Sequence, residues 1–353
     1  MRTRRDVDQR LNTLLAEAFE QGRCAAPDPR DTRTLRGRVR AGTVVEPYPQ
    51  LFASAELWQR LSARDRSMFV MRTLTERNPH LVFCGRSAAL AHSLPVNEGP
   101  LLPLHVITPS KRPVRTTAHL QRHMKLNPEH AIRDGVRVTT LTQTVVDCGR
   151  TLPFSEALAV MDATLRMLDV ERPMLDGFID AHAPGYRGVR RAHKIAAWAD
   201  GRAESGGESI ARAVMIEAGI APSDLQVTFV DPMDLWRRPR VDFLFNLRDG
   251  SRVVGELDGM EKYVEPRYLN GRSTVDALVR ERQRESHLTL LRMPIVRFTM
   301  RDVWTPGRLV AMLAQAGVTA ETLTGHDYRA TAPRPDLPHG SRSWTTPAPP
   351  IEL

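Results

Sequence analysis

The sequence predicts a multi-domain α/β protein with three folded segments and a proline-rich tail. Its 353 residues exceed the length of one average domain, and the apolar fraction of 41% is ample for real cores. Apolar residues recur at helical spacing in some segments and alternate as in strands in others, so helices and strands are interleaved. We expect domains at residues 1–60, 65–180 and 200–312, and a disordered tail at 324–353.

Residues 1–60 predict helices followed by a two-stranded hairpin. Apolar residues at helical spacing mark the first helix: Val7, Leu11, Leu14, Leu15 and Ala18. Gly22 ends this helix, and DTRTLRGRVRAG, with an aspartate cap and Gly42 at its end, predicts another. TVVEP and QLFAS, separated by Pro47 and Pro49, predict short strands. Helices followed by such a wing outline a winged helix-turn-helix.

The second of these helices carries a basic face. Arg33, Arg36 and Arg40 share one side by i, i+3, i+7 spacing, as a surface in a DNA groove requires. The formal net charge is +9, and most of the 50 basic residues are arginines, which bind phosphate bidentately. These observations predict DNA binding. A solvated basic helix is the alternative, and an arginine bias also arises from GC-rich coding.

Residues 65–180 predict a mixed α+β domain. A helix around Asp65–Arg77 precedes VFCGRSAALAHSLP, a strand and a helix; LHVITPS alternates like a strand, and VRVTTLTQTVVDCGR predicts strand, cap and helix. SEALAVMDATLRML predicts an amphipathic helix with one apolar side: Leu158, Met161, Leu165 and Leu168. Four histidines lack the spacing of a metal-binding helix and are expected in structural or surface roles: His105, His119, His123 and His130.

Residues 200–312 predict a compact α-β-β-β-α-β unit. SGGESIARAVMIEAGI predicts a helix, LQVTFV a strand, and RVDFLFNLRDGSRVVGELDG a hairpin with Asp249 and Gly250 at its tip. DALVRERQRESHLTLL predicts a basic amphipathic helix, and PIVRFTMRDV a final strand. The tail from Thr324 is rich in proline and has little periodicity, which predicts disorder.

The predicted hairpin gathers acidic residues. With the turn at the Asp-Gly dipeptide, Asp242 faces Glu256 or its immediate neighbour, and opposed residues have Cβ atoms about 4.5–5.5 Å apart. Glu256 and Asp258 point to the same face, and Lys262 follows the strand. Carboxylates this close repel unless a divalent ion or a basic side chain intervenes. Each residue alone has an ordinary alternative, since carboxylates are common on exposed strands; the joint pattern favours a Mg²⁺ site, with Mn²⁺ as the other candidate ion.

This segment resembles the PD-(D/E)XK nuclease superfamily, in the branch related to very-short-patch-repair endonucleases. The resemblance covers most of residues 200–305: the helix with Glu208, the strand with Asp242, the Glu256-x-Asp258 motif followed by glycine, the helix RERQRESHL and the strand PIVRFTMRDV. It implies a restriction-endonuclease-like α/β core. In such a core Asp242 and Glu256 are metal ligands, and Glu208 is an outer or second ligand.

The sequence departs from that superfamily at two positions. Asp258 lies where the superfamily more often has its lysine, and Lys262 lies where the related branch usually has histidine. Lysine can neutralise charge on the attacked phosphate, but it serves less easily than histidine as a neutral base. The resemblance thus implies a catalytic set: Asp242, Glu256, Asp258 and Lys262. Arg280 and Arg284 are candidates for phosphate contacts, with solvated helix charges as the alternative.

The first 180 residues resemble AbiEi-type antitoxin proteins. The resemblance rests on the basic wing and on SAALAHSLP, HVITPS, GVRVTTLTQTVVDCGRTL and ALAVMDATLR. It implies a winged-helix domain that binds operator DNA and a second domain that assists regulation or toxin neutralisation. DNA is therefore an expected partner, and a cognate toxin protein is another.

Together these patterns predict a DNA-binding protein with a Mg²⁺-dependent phosphodiesterase site. One alternative is a regulator or antitoxin whose nuclease-like domain is metal-free and inactive, and another is a protein-interaction module whose charge serves solubility. Three separated cysteines fit a reducing cytoplasm. No segment approaches the roughly 20 apolar residues that cross a bilayer. We therefore expect a cytoplasmic protein without a membrane partner.

Overall fold

The computed structural model describes most of the chain as two compact units. The described residues are 4–97, 103–108, 116–125, 128–231, 233–234, 236, 238–258 and 293–324. Contacts divide the chain into an N-terminal unit, Met1–Cys148, and a C-terminal unit, Gly149–Leu353. Lys262, Arg280, Arg284 and residues 325–353 lie outside the described residues. Within the described part, the predicted mixed α/β class is confirmed, and no helix is long and apolar enough to cross a membrane.

The N-terminal unit begins with helices and a hairpin, in the predicted order. Its first elements are α1 (Arg4–Glu20), α2 (Pro29–Arg40), β1 (Val44–Tyr48), β2 (Leu51–Ser54) and α3 (Ala55–Gln59). Gly22 follows the end of α1 and has a φ of +67°. Chains that leave a helix often adopt this left-handed conformation, which glycine accepts without a steric cost. Leu11, Leu35 and Phe52 are fully buried and join the two helices to the hairpin.

The sequence pattern placed the aspartate cap of α2 at Asp31, which is one turn too late. The helix begins at Pro29 after Asp28, because proline is well suited to the first helical position. Asp31 instead lies inside the first turn, where it is buried. Its two carboxylate oxygens accept hydrogen bonds from Arg10 of α1 at 2.6 and 2.8 Å. Asp31 thus links the two helices.

A five-stranded mixed sheet forms the rest of the N-terminal unit. Helix α4 (Ala63–Arg77) precedes these elements: β3 (Val82–Phe83), α5 (Gly85–Ala91), β4 (Leu104–Thr108), β5 (Leu120–Met124), β6 (His130–Arg133), β7 (Val136–Thr139) and α6 (Leu141–Thr151). The strand order is β5-β4-β3-β7-β6. The pairs β3–β7 and β4–β5 are parallel, and β3–β4 and β6–β7 are antiparallel. Each strand and helix predicted between residues 65 and 151 is present.

The C-terminal unit packs helices against a four-stranded sheet. Its helices are α7 (Phe154–Leu168), α8 (Pro173–His182), α9 (Val189–Ala196), α10 (Gly206–Glu217), α11 (Met300–Trp304) and α12 (Arg308–Gln315). Its strands are β8 (Asp224–Thr228), β9 (Arg240–Asn246), β10 (Arg252–Leu257) and β11 (Ile295–Phe298). The strand order is β11-β10-β9-β8, with β10–β11 parallel and the other pairs antiparallel. Phe243, Phe245 and Phe298 fill the core between sheet and helices.

Helix α7 corrects the prediction of an amphipathic helix with one apolar side. Every residue from Phe154 to Leu165 is buried, whereas Leu168 is 38% exposed. A helix buried on all sides belongs to the interior of a unit. The polar Asp162 at its centre is 0% exposed and accepts two hydrogen bonds from Arg212 of α10, at 2.8 and 2.7 Å. The contacts place α7 in the C-terminal unit. The sequence pattern placed the same residues in the domain 65–180, and those domain bounds stay a prediction.

Candidate functional site

Strand pairing lines up polar residues in one row across the four-stranded sheet. The pairs Leu225–Phe243 and Val227–Val241 enclose Gln226 and Asp242, which therefore oppose each other. The β9–β10 register ends at Gly255–Phe243, and one step further sets Glu256 beside Asp242. Glu256 pairs with Arg297 on β11. Laterally paired residues share one face of a sheet, so these side chains form a cross-strand row: Gln226, Asp242, Glu256 and Arg297.

Asp242 is held by contacts from both neighbouring strands. One carboxylate oxygen accepts a hydrogen bond from the backbone N–H of Leu257 at 2.9 Å. The other accepts a longer one from Nε2 of Gln226 at 3.4 Å. The same nitrogen of Gln226 donates to Glu208 at 2.8 Å. One amide group therefore bridges the two carboxylates of Glu208 and Asp242.

Gln226 adopts a backbone conformation that is rare for its residue type. Its φ is +53°, in the left-handed region, although it lies in the middle of β8. Such conformations cost free energy in residues with a side chain and concentrate at functional sites. Here the unusual backbone accompanies the side chain that connects Glu208 to the cross-strand row.

Glu208 is fixed at the first turn of α10. Ser205 caps the helix by accepting a hydrogen bond from the Glu208 N–H at 3.1 Å, and its hydroxyl donates to the Glu208 carboxylate at 2.9 Å. The backbone N–H of Glu204 donates to the other carboxylate oxygen at 2.8 Å. Burial raises the pKa of Glu208 above its ordinary value, and the negative charge of Asp242 acts in the same direction. The carboxylate thus lies where added positive charge would stabilise its ionised form.

Arg297 joins the two acidic residues of the Glu256-x-Asp258 motif. Its Nη2 lies 3.1 Å from Oε2 of Glu256, and its Nη1 lies 3.2 Å from Oδ1 of Asp258. Glu256 is 4% exposed, so its charge requires a partner. Glu256 and Asp258, predicted to point to the same face, both contact this guanidinium. Arg297 therefore brings a basic side chain to the motif from the neighbouring strand β11.

The donor set suits a hard divalent cation with few protein ligands. Asp242 and Glu256 are neighbours in the row, and Glu208 reaches Asp242 through Gln226. Among the residues that the structure describes, no group of three or more His, Cys, Asp or Glu side chains is placed to hold one metal ion. Mg²⁺ is usually bound through one or two carboxylates and keeps several waters, so a pair of adjacent carboxylates fits this ion.

The predicted DNA-binding arginines of α2 are exposed, but they differ in their contacts. Arg36 binds the Glu46 carboxylate of β1 through two nitrogens, at 3.0 and 3.2 Å. This guanidinium holds the pKa of Glu46 below its ordinary value. Arg33 and Arg40 are exposed on the same helix. The hairpin thus positions Arg36 and leaves Arg33 and Arg40 on the surface.

Two of the four histidines expected in structural or surface roles meet through strand pairing. His105 on β4 and His123 on β5 have ring nitrogens 3.2 Å apart and ring centroids 5.1 Å apart. Burial lowers the pKa of His105, together with the charges of His123 and Arg86, to about 4. His105 is therefore neutral at pH 7, as a buried structural histidine would be. Its expected structural role stays a prediction.

Sequence reasoning missed Gln226 and Arg297 as site residues. Both are single long polar side chains in otherwise apolar strands, LQVTF and PIVRF. Extending the row from Asp242 and Glu256 to the outer strands would have found both. That step needs the strand order β11-β10-β9-β8, which the local pattern does not contain.

Replacing Glu208 with glutamine is expected to make stability less dependent on pH. Because the pKa of Glu208 is raised in the folded chain, the folded form binds this proton more tightly than the unfolded form. Wild-type stability therefore falls as pH rises from the ordinary value of 4.5 through the raised value. Glutamine keeps acceptors for Glu204 and Gln226 and a donor for Ser205. The free energy of unfolding of Glu208→Gln, relative to that of wild type, should therefore increase between pH 4.5 and the raised pKa of Glu208 and then level off.

Urea unfolding at a series of pH values measures this difference. Glu171→Gln removes an exposed carboxylate from the same unit and controls for the loss of one negative charge. If the stability difference between Glu208→Gln and wild type stays constant with pH, the pKa of Glu208 is not raised in the folded chain.

Comparisons with known proteins identify relatives but no family. No family model matches the chain, and no solved structure matches it. Two similar proteins are the uncharacterized protein MT2308 of Mycobacterium tuberculosis strain CDC 1551 / Oshkosh and the uncharacterized protein Rv2248 of strain ATCC 25618 / H37Rv. Each is 29% identical over 282 residues, which is 79% of this chain and 94% of the relative.

Proposed function

We propose that the protein binds DNA and hydrolyses phosphodiester bonds at the cross-strand row with a divalent cation. One observation carries the proposal: Asp242 and Glu256 come next in line after the Gly255–Phe243 pair of β9 and β10, and Gln226 hydrogen-bonds both Glu208 and Asp242. Carboxylates on neighbouring strands repel each other, and the Arg297 guanidinium offsets only part of their charge. A site that binds a cation and a phosphate accounts for them.

The proposed fold of the C-terminal unit is the restriction-endonuclease-like core. Helix α10 precedes the antiparallel strands β8, β9 and β10, and β11 joins β10 in parallel. This order supports the likeness to the PD-(D/E)XK superfamily. For the N-terminal unit we propose a winged helix, supported by α1, α2 and the β1–β2 hairpin. Similarity to AbiEi-type antitoxins is likewise a proposal.

The residues of the site would divide the work as follows. Asp242 and Glu256 would hold Mg²⁺ or Mn²⁺, and Glu208 would serve as an outer ligand. A divalent ion in such a site supplies an activated water and neutralises charge on the phosphate. The Leu257 N–H and Gln226 orient the Asp242 carboxylate, and Arg297 orients Glu256. Asp258 anchors Arg297 from the more exposed side.

Phosphate contacts outside the row are assigned to arginines and one lysine. On α2, Arg33, Arg36 and Arg40 form the proposed DNA-binding face. In the segment after β10, the residues proposed for phosphate contact are Lys262, Arg280 and Arg284. Such contacts give affinity that falls steeply with salt.

Metal-dependent cleavage tests the proposal. We expect the wild-type chain to cut supercoiled plasmid or end-labelled oligonucleotides with Mg²⁺ or Mn²⁺. Loss of one outer-shell partner of a metal ligand costs about 10–100-fold, so Glu256→Ala, which removes a ligand itself, should reduce cleavage by at least about 100-fold. Glu256→Gln should do the same while keeping a hydrogen-bonding side chain opposite Arg297. Glu171→Ala, at an exposed position, should cut like wild type.

Cleavage that persists in both Glu256 variants would place the chemistry elsewhere. If wild type binds DNA and cuts with neither metal, the second candidate function replaces the first. Circular dichroism of each variant verifies that a loss of cleavage is not a loss of fold.

The second candidate is a DNA-binding regulator or antitoxin whose nuclease-like unit works without metal. It is favoured by Arg297, which already compensates Glu256 and Asp258. A charge-balanced buried carboxylate is stable without a cation. In this case the partner besides DNA would be a cognate toxin protein, and DNA binding would be retained in the Glu256 variants.

Salt-dependent DNA binding checks the role of α2 in both candidates. Arg33→Ala and Arg40→Ala should each lower the slope of log K against log salt by about 1, because each removes one phosphate contact. Arg36→Ala should lower the slope less, because the Arg36 guanidinium is hydrogen-bonded to Glu46. Fluorescence anisotropy at several salt concentrations measures the slopes.

Arg60→Ala is the matched control for these variants. Its side chain is 67% exposed and lies in the same unit, outside α2. Equal slopes for the Arg33, Arg40 and Arg60 variants would remove α2 from the DNA interface.

A further inference from the structure

We propose that Arg297 is a positioning residue that competes with the divalent cation for Glu256 and stays tethered to the site by Asp258. This inference rests on the proposed function. It assigns a task to Arg297 and to Asp258: Arg297 binds Glu256 when no cation is bound, and Asp258 keeps the guanidinium in place when a cation binds Glu256. The row would then keep a fixed positive charge beside the phosphate.

The geometry separates the two contacts of Arg297. Different nitrogens of the guanidinium reach the two carboxylates, Nη2 to Glu256 at 3.1 Å and Nη1 to Asp258 at 3.2 Å. One contact can therefore open while the other is kept. A lysine ammonium presents its three donors from a single nitrogen, so its contacts are less independent of each other.

Burial sets the order in which the contacts open. The Glu256 side chain is 5% exposed and the Asp258 side chain 40%. A carboxylate as buried as Glu256 requires a positive partner at all times, so Arg297 and a cation are alternatives there. Asp258 is partly solvated, and it can hold the arginine at the edge of the row.

The acidic side chains around Arg297 carry more negative charge than one guanidinium neutralises, so a cation can also bind. Within the part of the chain that the structure describes, the charged groups of the row and its neighbours are Glu208, Asp242, Glu256, Asp258 and Arg297, of which one is positive. When all are ionised, the negative charges outnumber the positive charge. Arg297 therefore weakens cation binding without neutralising the site. The cation affinity becomes a balance between two competing partners of one carboxylate.

Mn²⁺ titration of the full-length chain by isothermal calorimetry tests the inference without measuring cleavage. Arg297→Met keeps a long side chain and removes the competitor, so we expect Mn²⁺ to bind roughly tenfold more tightly, about the value of one charge-assisted hydrogen bond. Arg297→Lys should give a smaller gain and covers the case in which the methionine variant does not fold. Arg301→Met, at an exposed position of the same unit, removes an equal charge and should leave the affinity within about twofold.

Each result separates the inference from the proposed function. Wild-type binding that is unchanged or weaker in Arg297→Met overturns the competition and leaves the metal site standing. Equal gains in Arg297→Met and Arg301→Met would show a general charge effect and also overturn it. Binding by Arg297→Met where wild type binds nothing supports the competition and favours the metal-free regulator. Absence of Mn²⁺ binding in every folded variant overturns both the inference and the proposed nuclease function.

Discussion

Asp162→Leu is expected to destabilise the C-terminal unit by about 3–5 kcal/mol, the usual cost of removing one partner from a buried ion pair. Asp162 is 0% exposed at the centre of α7, and both of its carboxylate oxygens bind Arg212 of α10. Leucine has a similar shape, so the substitution leaves no large cavity. It leaves the Arg212 guanidinium buried without its carboxylate.

A double substitution separates the charge from the packing. Asp162→Leu with Arg212→Met removes both charges and should recover at least half of the loss, because buried ion pairs are often replaceable by apolar residues. The backbone N–H of Asp200 still loses its Asp162 acceptor, which prevents full recovery. Urea unfolding followed by tryptophan fluorescence, with Trp198 in this unit, measures the series. A single variant as stable as wild type would show that α7 is not fixed to α10 by this pair.

Asp242→Asn is expected to reduce metal-dependent cleavage by at least about 100-fold while the fold is kept. Asparagine retains an oxygen for the Leu257 N–H, so the contact between β9 and β10 persists. It loses the negative charge that a cation requires. Asp242→Ala removes both, and it should cost about 1 kcal/mol of stability in addition, because the Leu257 N–H loses its acceptor.

Asp249→Asn is the matched control for Asp242→Asn. Asp249 lies at the tip of the same hairpin, where its carboxylate accepts hydrogen bonds from Ser251. The substitution changes the net charge equally at a distance from the row. Cleavage assays and thermal unfolding on the three Asp variants measure both effects. Cleavage that is as fast in Asp242→Asn as in Asp249→Asn would exclude Asp242 from the site.

Local sequence patterns determined many of the helices and strands of this protein and part of its site. The spacing of Leu11 and Leu15 predicted α1, and the alternation and Asp-Gly turn predicted the β9–β10 hairpin, in which Gly255 pairs with Phe243. These inferences succeed because helix periodicity, strand alternation and tight turns depend on residues a few positions apart. Glu208 was identified by resemblance, and the structure connects it to Asp242 through Gln226.

Only the tertiary structure decided how the acidic residues are compensated and how deeply α7 is buried. Arg297 lies 41 positions after Glu256 in the chain and reaches it because β11 pairs with β10. Asp162 contacts Arg212 because α7 packs against α10. The same packing buries the face of α7 that the sequence pattern predicted to be solvated. Strand order and helix packing are chosen by the free energy of the whole unit. The partner of a buried charge is therefore set by contacts between distant segments, which local periodicity does not contain.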